Sequence, residues 1–147
     1  MKKIIITLFI VKIFVGYFSE PAPLNAQSSQ FILEITNVTA NGGDIHVSIF
    51  KNAEEFKNEL PSTYFVLGGS GVVVRHTMEL PAADYLFTAY QDTNNNGKCD
   101  FNFLGMPREL VALSNYSGKG IPPRDFNKLK VPVNSTIKTI TIRLNKF

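Results

Sequence analysis

The sequence predicts an all-β fold, an antiparallel β-sandwich or barrel of about seven strands, and three observations support this. Apolar residues recur at every second position along several segments, which is the side-chain period of a strand. Turns rich in glycine and proline separate these segments. Most segments have one apolar and one polar face, which is typical of antiparallel sheets with one solvated side. Strands of this length and spacing favour a sandwich or a barrel.

The strand pattern begins after residue 30 and continues to the end of the chain. Ile45, Val47 and Ile49, for example, take alternate positions in one segment, so they share one face of a strand. The predicted strands are Phe31–Val38, Asp44–Phe50, Val72–Leu80, Tyr85–Tyr90, Glu109–Tyr116 and Thr139–Leu144. The turn signals are Asn41-Gly42-Gly43, Gly68-Gly69-Ser70-Gly71, Asn96-Gly97 and Pro122-Pro123.

One short helix and one long connection interrupt the strands. Asn52 can cap a helix in which Phe56 and Leu60 lie on the same face, and Pro61 ends it. Residues 117–135 contain two glycines and three prolines and show no strand pattern. A connection of this length in a compact domain is functional or packs across a sheet edge.

The N-terminus has the three parts of a secretory signal peptide. Lys2 and Lys3 precede an apolar stretch from residue 4 to residue 18, and a small residue, Ala26, stands at a polar junction. We therefore expect residues 1–26 to be removed and residues 27–147 to form a single β-sandwich domain. An uncleaved anchor is the alternative, but the stretch is shorter than the ~20 residues that span a bilayer, and Lys12 interrupts it.

Composition bounds the function of the mature chain. Cleavage removes three lysines and one glutamate from a chain of net charge +3, which leaves about +1. This balance does not indicate nucleic-acid binding, and no membrane span is expected after signal removal. The single cysteine, Cys99, excludes an internal disulfide. We expect export to the periplasm, the cell surface or the medium.

The segment Asp92–Asp100 matches the first nine positions of an EF-hand calcium loop. Oxygen-bearing side chains stand at positions 1, 3, 5 and 9, and Gly97 at position 6 allows a sharp turn. A hard cation needs six to eight oxygens, which a tightly turning chain can direct at one centre. The predicted metal ligands are the side chains of Asp92, Asn94, Asn96 and Asp100 and the main-chain carbonyl of Lys98.

The loop also departs from a calcium site. Position 12, where a bidentate glutamate belongs, is Phe103, so further ligands would come from Asn102, Glu109 or Asp125. With so few carboxylates, we expect weak Ca²⁺ binding, with a Kd on the order of 10⁻⁴–10⁻³ M. The alternative is a turn stabilised by Asp and Asn side chains without an ion, since Asn-Gly also favours hairpin turns.

Other candidates for chemistry have weaker support. His46 and His76 lack acidic or cysteine neighbours at ligand spacing, so we interpret both as core or surface residues. Ser70 lies in a glycine turn rather than a nucleophile elbow. Cys99, at position 8 of the loop, is expected to point inward and to react slowly. We interpret one aromatic set as core rather than as a ligand platform: Tyr64, Phe65, Tyr85, Phe87, Tyr90, Phe101 and Phe103.

Several motifs occur together in one order along the second half of the chain. They are Phe87–Asp92, the polar loop, Asn102–Glu109, Leu113–Asn115 and Pro122-Pro123. In this combination the chain resembles domain-of-unknown-function family 2141, found in exported bacterial proteins. It departs from the family pattern at three places. Residues 82–84 replace the usual Pro-Gly, Cys99 stands where Leu is common in the family, and Leu113 replaces the Phe that precedes Ser-Asn in the family. The resemblance implies an immunoglobulin- or transthyretin-like sandwich and implies no activity.

The sequence therefore predicts an exported, non-enzymatic β-sandwich module, stabilised by calcium, that acts in binding or in envelope structure. No catalytic residues are assigned, and an envelope protein or a glycan is the expected partner. The alternative is an enzyme, or an enzyme accessory domain, acting on cell-surface glycans or peptides. That alternative requires acid–base groups that converge in a pocket, with Asp92, Asp100, Glu109 and Asp125 as the carboxylates to locate.

Overall fold

The computed structural model describes residues 28–147, which form two β-sheets packed face to face with two short helices. The predicted signal peptide, residues 1–26, lies outside the described residues. The strands are β1 Ser28–Thr36, β2 Asp44–Phe50, β3 Thr63–Leu67, β4 Val73–Pro81, β5 Ala83–Asp92, β6 Leu110–Leu113, β7 Val131–Val133 and β8 Thr139–Arg143. The helices are α1 Ala53–Lys57 and α2 Phe126–Leu129.

The smaller sheet has three strands in the order β4-β1-β8. Strand β1 pairs antiparallel with β4 along its whole length, and parallel with β8 over residues 32–36. The larger sheet has the order β3-β2-β5-β6, and β7 pairs with the beginning of β5 beside β6. The predicted all-β sandwich is thus confirmed, with one parallel pair in an otherwise antiparallel fold.

The core lies between the two sheets. Strand β1 contributes Phe31, Leu33 and Ile35, and Phe31 meets Phe87 of β5 edge to face, with ring centroids 6.0 Å apart. Burial of these alternate side chains on both sheets supplies the main stabilisation. None of the helices found in residues 28–147 is long and apolar enough to cross a bilayer.

Three elements are absent from the sequence prediction, and each has a local reason. Strand β3 is a run of apolar residues without alternation, so periodicity does not identify it. Strand β7 is three residues long and contains Pro132, which is tolerated because the strand pairs only with β5. Helix α2 is a single turn capped by Asp125 inside the long connection. The predicted helix capped by Asn52 is confirmed as α1, but it ends at Lys57, so Leu60 lies outside it and is exposed.

The outer face of the larger sheet is covered, contrary to the expectation of one solvated side. Leu86 of β5 and Phe50 of β2 point away from the core and pack against Phe126 and Leu129 of α2. We call these four residues the outer cluster. Helix α1 adds Phe56, whose ring meets Phe50 with centroids 5.4 Å apart. Strands β2 and β5 are therefore buried on both faces, and the loop after β5 extends over the same side.

Candidate functional site

The polar loop Asp92–Asp100 begins at the last residue of β5. Asp92 pairs with Asp44, the first residue of β2, so the loop leaves the sheet at a fixed point. Gly43 lies directly against it at a φ of +99°, and a Cβ there would fall 1.9 Å from the carbonyl oxygen of Asp92. Only glycine fits this close approach, so the turn after β1 and the polar loop are locked together.

The carboxylate of Asp92 organises the first half of the loop. It is 3% exposed, and its two oxygens accept hydrogen bonds from the main-chain N–H groups of Asn96, at 3.2 Å, and Gly97, at 2.7 Å. Asn95 and Gly97 adopt positive φ angles of 56° and 76°. Asparagine and glycine are the residues that take this conformation most readily, which explains the Asn-Asn-Asn-Gly sequence.

Three side chains converge in the second half of the loop. Nδ2 of Asn94 and Nδ2 of Asn96 donate to the same oxygen of Asp100, at 2.7 and 2.9 Å. Oδ1 of Asn96 accepts the main-chain N–H of Lys98 at 2.9 Å. The structure therefore brings the predicted ligand side chains to one end of the sheet, where they bond to one another and to the loop backbone.

Of the three further ligands considered from sequence, Glu109 alone bonds to the loop. Its carboxylate is buried, and it accepts the N–H groups of Thr93 and Asp100, each at 3.2 Å. Glu109 thus joins the two ends of the loop. Asn102 holds its own turn, and Asp125 accepts the N–H of Asn127 as the cap of α2.

His46 has an acidic partner that sequence spacing did not reveal. Its Nε2 lies 3.7 Å from Oδ2 of Asp92, its Nδ1 bonds to the hydroxyl of Tyr64, and its ring stacks on Tyr90 at 4.6 Å. The contact follows from strand register, because His46 pairs with Tyr90 two residues before Asp92. Only the pairing of β2 with β5 could have identified it. His76 packs on Phe65 at the inner side of β4.

The environment shifts the pKa values of the two buried carboxylates in opposite directions. Burial alone would raise the pKa of Asp92, but hydrogen bonds from Gly97 and Asn96, together with His46, lower it below its usual value. For Glu109 burial is the dominant effect, and the nearby Asp92 and Asp100 add to it, so its pKa is raised. Asp92 therefore ionises more readily than a free aspartate, whereas Glu109 keeps its proton more readily than a free glutamate.

A groove of about 1000 Å³ lies beside the loop on the outer face of the larger sheet, and we call it the outer groove. Its floor includes Ser48 and Thr88 from the central strands together with Phe50 of the outer cluster. The polar loop and the following segment form one wall, with Lys98, Cys99, Phe101, Gly105, Met106 and Pro107. The long connection forms another wall, with Ile121, Pro122, Pro123, Arg124, Asp125 and Phe126.

Cys99 lines this groove. Its side chain is partly buried, and burial, followed by the charges of Glu109 and Asp100, raises its pKa to about 11. A thiol of this kind is largely protonated at neutral pH and is a poor nucleophile.

The seven aromatic residues that the sequence predicts as core differ in burial. Tyr85 and Phe87 lie in the core, as expected, and Phe65 and Tyr90 are partly buried. Tyr64, Phe101 and Phe103 are exposed, so the interpretation of the whole set as core is wrong for these three. Phe101 and Phe103 belong to a turn after the polar loop, where no sheet lies opposite to cover them. The core group comes from the central strand β5, which the opposite sheet covers.

The donor set of the loop is mostly uncharged oxygen. Within residues 28–147, no three His, Cys, Asp or Glu side chains are grouped so as to hold a metal ion. A cation at the loop would therefore draw on the amide oxygens of Asn94 and Asn96 and the carbonyl of Lys98 as well as the two aspartates. In this structure the side-chain oxygens accept hydrogen bonds within the loop, and the calcium site stays a prediction.

The chain is thus a small β-sandwich module, with a polar loop at the end of a central strand and a groove over the larger sheet. The model of a family described as "Uncharacterized protein conserved in bacteria (DUF2141)" matches residues 33–141, and the chain belongs to this family. The match confirms the resemblance that the motifs indicated. No curated protein and no solved structure matches the chain.

Proposed function

We propose that this chain is an exported, non-enzymatic β-sandwich module that binds a segment of an envelope protein in the outer groove, with a polar loop stabilised by calcium. The observation that supports binding best is the groove itself. Its volume of about 1000 Å³ is at the upper end of the range for ligand sites, and it lies on a rigid sheet. Export rests on the signal-peptide pattern of residues 1–26.

The chemistry of the groove favours a peptide over a glycan. Phe50, Met106 and Leu113 line it together with several prolines, and hydroxyls are contributed by Ser48 and Thr88 on its floor. An extended peptide with apolar side chains buries apolar surface in such a groove, which is the main source of affinity. A glycan would leave most of its hydroxyl groups without partners there.

Catalysis is less well supported by the lining. The titratable residues described in the groove are Lys57, Glu59, Lys98, Cys99, Arg124 and Asp125. Asp125 accepts a helix N–H, and the high pKa of Cys99 opposes a role as nucleophile. An enzyme acting on cell-surface glycans or peptides would need a paired acid and base at the scissile bond.

A test of the groove uses a substitution that fills it. Peptides selected from a displayed random library against the wild-type protein should lose binding to Thr88→Phe, since the new ring occupies the floor. The matched control is Thr141→Phe, on the exposed outer side of β8, which should bind them as the wild type does. Selected peptides should also slow the alkylation of Cys99. Binding that survives Thr88→Phe and leaves Cys99 unprotected would contradict the proposal.

Calcium should stabilise the folded protein through the polar loop. At a Kd near 10⁻³ M, about 10 mM Ca²⁺ gives ~1.4 kcal/mol of stabilisation, which raises the Tm by a few degrees in a domain of this size. Magnesium should do less, because it requires a tighter octahedron and loses its water reluctantly. Scanning calorimetry with and without each ion measures the shift.

The loop variants make this test specific. Asp92→Ala and Asp100→Ala should each abolish the calcium shift while the protein still unfolds cooperatively. Glu79→Ala, on the exposed face of β4, is the control and should keep the full shift. If calcium leaves the wild-type Tm unchanged, the loop is an Asx turn that needs no ion.

A further inference from the structure

A short hairpin after the polar loop presents apolar side chains to solvent. Phe101 forms a bridge with Pro107, and the N–H of Asn102 donates to the carbonyl of Met106 at 2.9 Å. Oδ1 of Asn102 accepts the N–H groups of Leu104, at 2.9 Å, and Met106, at 3.0 Å. We call residues 101–107 the tip hairpin. The side chain of Asn102 therefore fixes the turn, so its exposed residues are held in a defined position.

The residues at the tip are apolar, although turn residues are usually polar. Phe103 is 93% exposed and Leu104 is 70% exposed, and neither lines the outer groove. Across the groove, Ile121 on the long connection is 83% exposed. These three are the most exposed large apolar side chains of residues 28–147, and they lie on the two segments that form walls of the groove. Exposed apolar side chains on neighbouring segments favour an interaction surface.

The charges around these residues are mainly positive. The exposed basic residues of the polar loop, of the position after the tip hairpin and of the long connection are Lys98, Arg108, Lys119, Arg124 and Lys128. None of them is in a salt bridge with another residue in the part of the chain that the structure describes. Fewer carboxylates are exposed there: Asp92 and Glu109 are buried, Asp100 is partly buried and Asp125 is exposed. The exposed charge on this side is therefore net positive, which complements an anionic partner.

We propose that the tip hairpin docks on an anionic phospholipid bilayer. Phe103 and Leu104, with Ile121, enter the boundary between head groups and acyl chains, and the surrounding lysines and arginines face the lipid phosphates. A hairpin of about seven residues offers little area for a protein interface, which buries about 800 Å² on each partner. A bilayer deforms around such a tip and combines apolar burial with anionic charge.

The expected affinity is weak and reversible. A single myristoyl chain binds a bilayer with a constant of about 10⁴ M⁻¹, and three side chains bury less apolar surface than that chain. The positive charges add attraction that falls with ionic strength, because salt screens it over about a Debye length. This interaction goes beyond the proposed function, since Phe103 and Leu104 lie outside the peptide groove, whereas Ile121 belongs to its wall.

The chain contains no tryptophan, so Phe103→Trp introduces a single fluorescent reporter at the tip. Its emission should shift to the blue when vesicles of phosphatidylglycerol and phosphatidylcholine are added, and should shift little with phosphatidylcholine alone. Raising the salt concentration should reduce the shift. Val72→Trp is the matched control, because Val72 is 67% exposed on a different turn, and its emission should not change. EDTA in the buffer removes free calcium, so the emission shift does not depend on calcium binding at the polar loop.

Co-sedimentation with the same vesicles tests the wild-type side chains. Phe103→Ala/Leu104→Ala should lower the partition coefficient roughly tenfold or more, whereas Val72→Ala should leave it unchanged. Lys119→Glu should weaken binding at low salt. The control Lys138→Glu should bind the vesicles as the wild type does. Each variant differs from the wild type only at the named residues. The difference in sedimentation therefore measures the contribution of the tip, even if the N-terminal segment also binds the vesicles. Equal sedimentation of the tip variant and the wild type, or a tryptophan shift independent of lipid charge, would overturn the proposal.

Discussion

The outer faces of the two sheets have opposite environments. On the smaller sheet, Arg75, Thr77 and Thr141 face solvent, and Arg75 pairs with Glu34 across the strands at 2.6 Å. On the larger sheet, the corresponding face carries the outer cluster, His46 and the floor of the groove. One sheet therefore has a single buried face, whereas the central strands of the other have two.

The family motifs lie on one side of the sandwich. The polar loop, the tip hairpin and the long connection all fold over the larger sheet, and the smaller sheet carries none of them. Ser114 illustrates the link: its hydroxyl donates to the carbonyl of Leu129 at 2.6 Å and accepts the N–H of Phe87 at 3.0 Å. A residue of the Leu-Ser-Asn motif thus attaches α2 to the central strand. The smaller sheet completes the core, and the larger sheet positions the outer groove and the polar loop.

The largest expected effect tests whether the covered face is a true second core. Leu86→Ala should cost about 2–5 kcal/mol of unfolding free energy, the range for fully buried leucines. Thr77→Ala, on the outer face of the smaller sheet, should change it by less than about 0.5 kcal/mol. Denaturant unfolding measures both. A cost for Leu86→Ala as small as that for Thr77→Ala would show that the outer cluster is loosely packed.

The next effect concerns the carboxylate that joins the ends of the polar loop. Glu109→Gln replaces one acceptor oxygen by an NH₂ group that faces a backbone N–H, which should cost about 1–3 kcal/mol of unfolding free energy. Glu79→Gln on the smaller sheet is the control and should be close to neutral. A neutral Glu109→Gln would mean that the loop ends are held by other contacts.

The pH dependence distinguishes the two buried carboxylates. The pKa of Asp92 is lowered on folding, so its stabilising contribution is present above its unfolded value of about 3.8 and is lost as pH falls through the folded value. The pKa of Glu109 is raised, so stability falls as pH rises from about 4.5 through its folded value. The stability difference between wild type and Asp92→Asn should therefore shrink on acidification. If the difference in unfolding free energy between the two proteins grows towards low pH, the pKa of Asp92 is raised on folding rather than lowered.

The smallest effect is expected on the exposed face of the smaller sheet. Arg75→Ala removes a pair in which the arginine side chain is 63% exposed, so it should cost only about 0.2–1 kcal/mol, less at high salt. Equilibrium unfolding in urea at low salt, repeated with added sodium chloride, measures this cost. A larger or salt-independent loss would indicate that the exposed face contributes more than its solvent contact suggests.

The sequence by itself determined the elements with strong local signals. Alternation located β2, β4 and β8, because side chains along a strand point to its two faces in turn. Apolar and aromatic segments between turn signals indicated β1, β5 and β6. Asn52 and Pro61 bounded α1, and the Asp-Asn-Gly spacing located the polar loop. The motif order also identified the family. Each of these depends on residues close together in the chain.

Only the tertiary structure decided which residues from distant segments meet. The contact of His46 with Asp92 depends on strand register, and the burial of Leu86 depends on α2, which lies about forty residues later. The exposure of Phe103 and Leu104 likewise follows from the absence of an opposing layer at the tip hairpin. Local patterns carry no information on these contacts, because the free energy that fixes them comes from packing between segments far apart in the sequence.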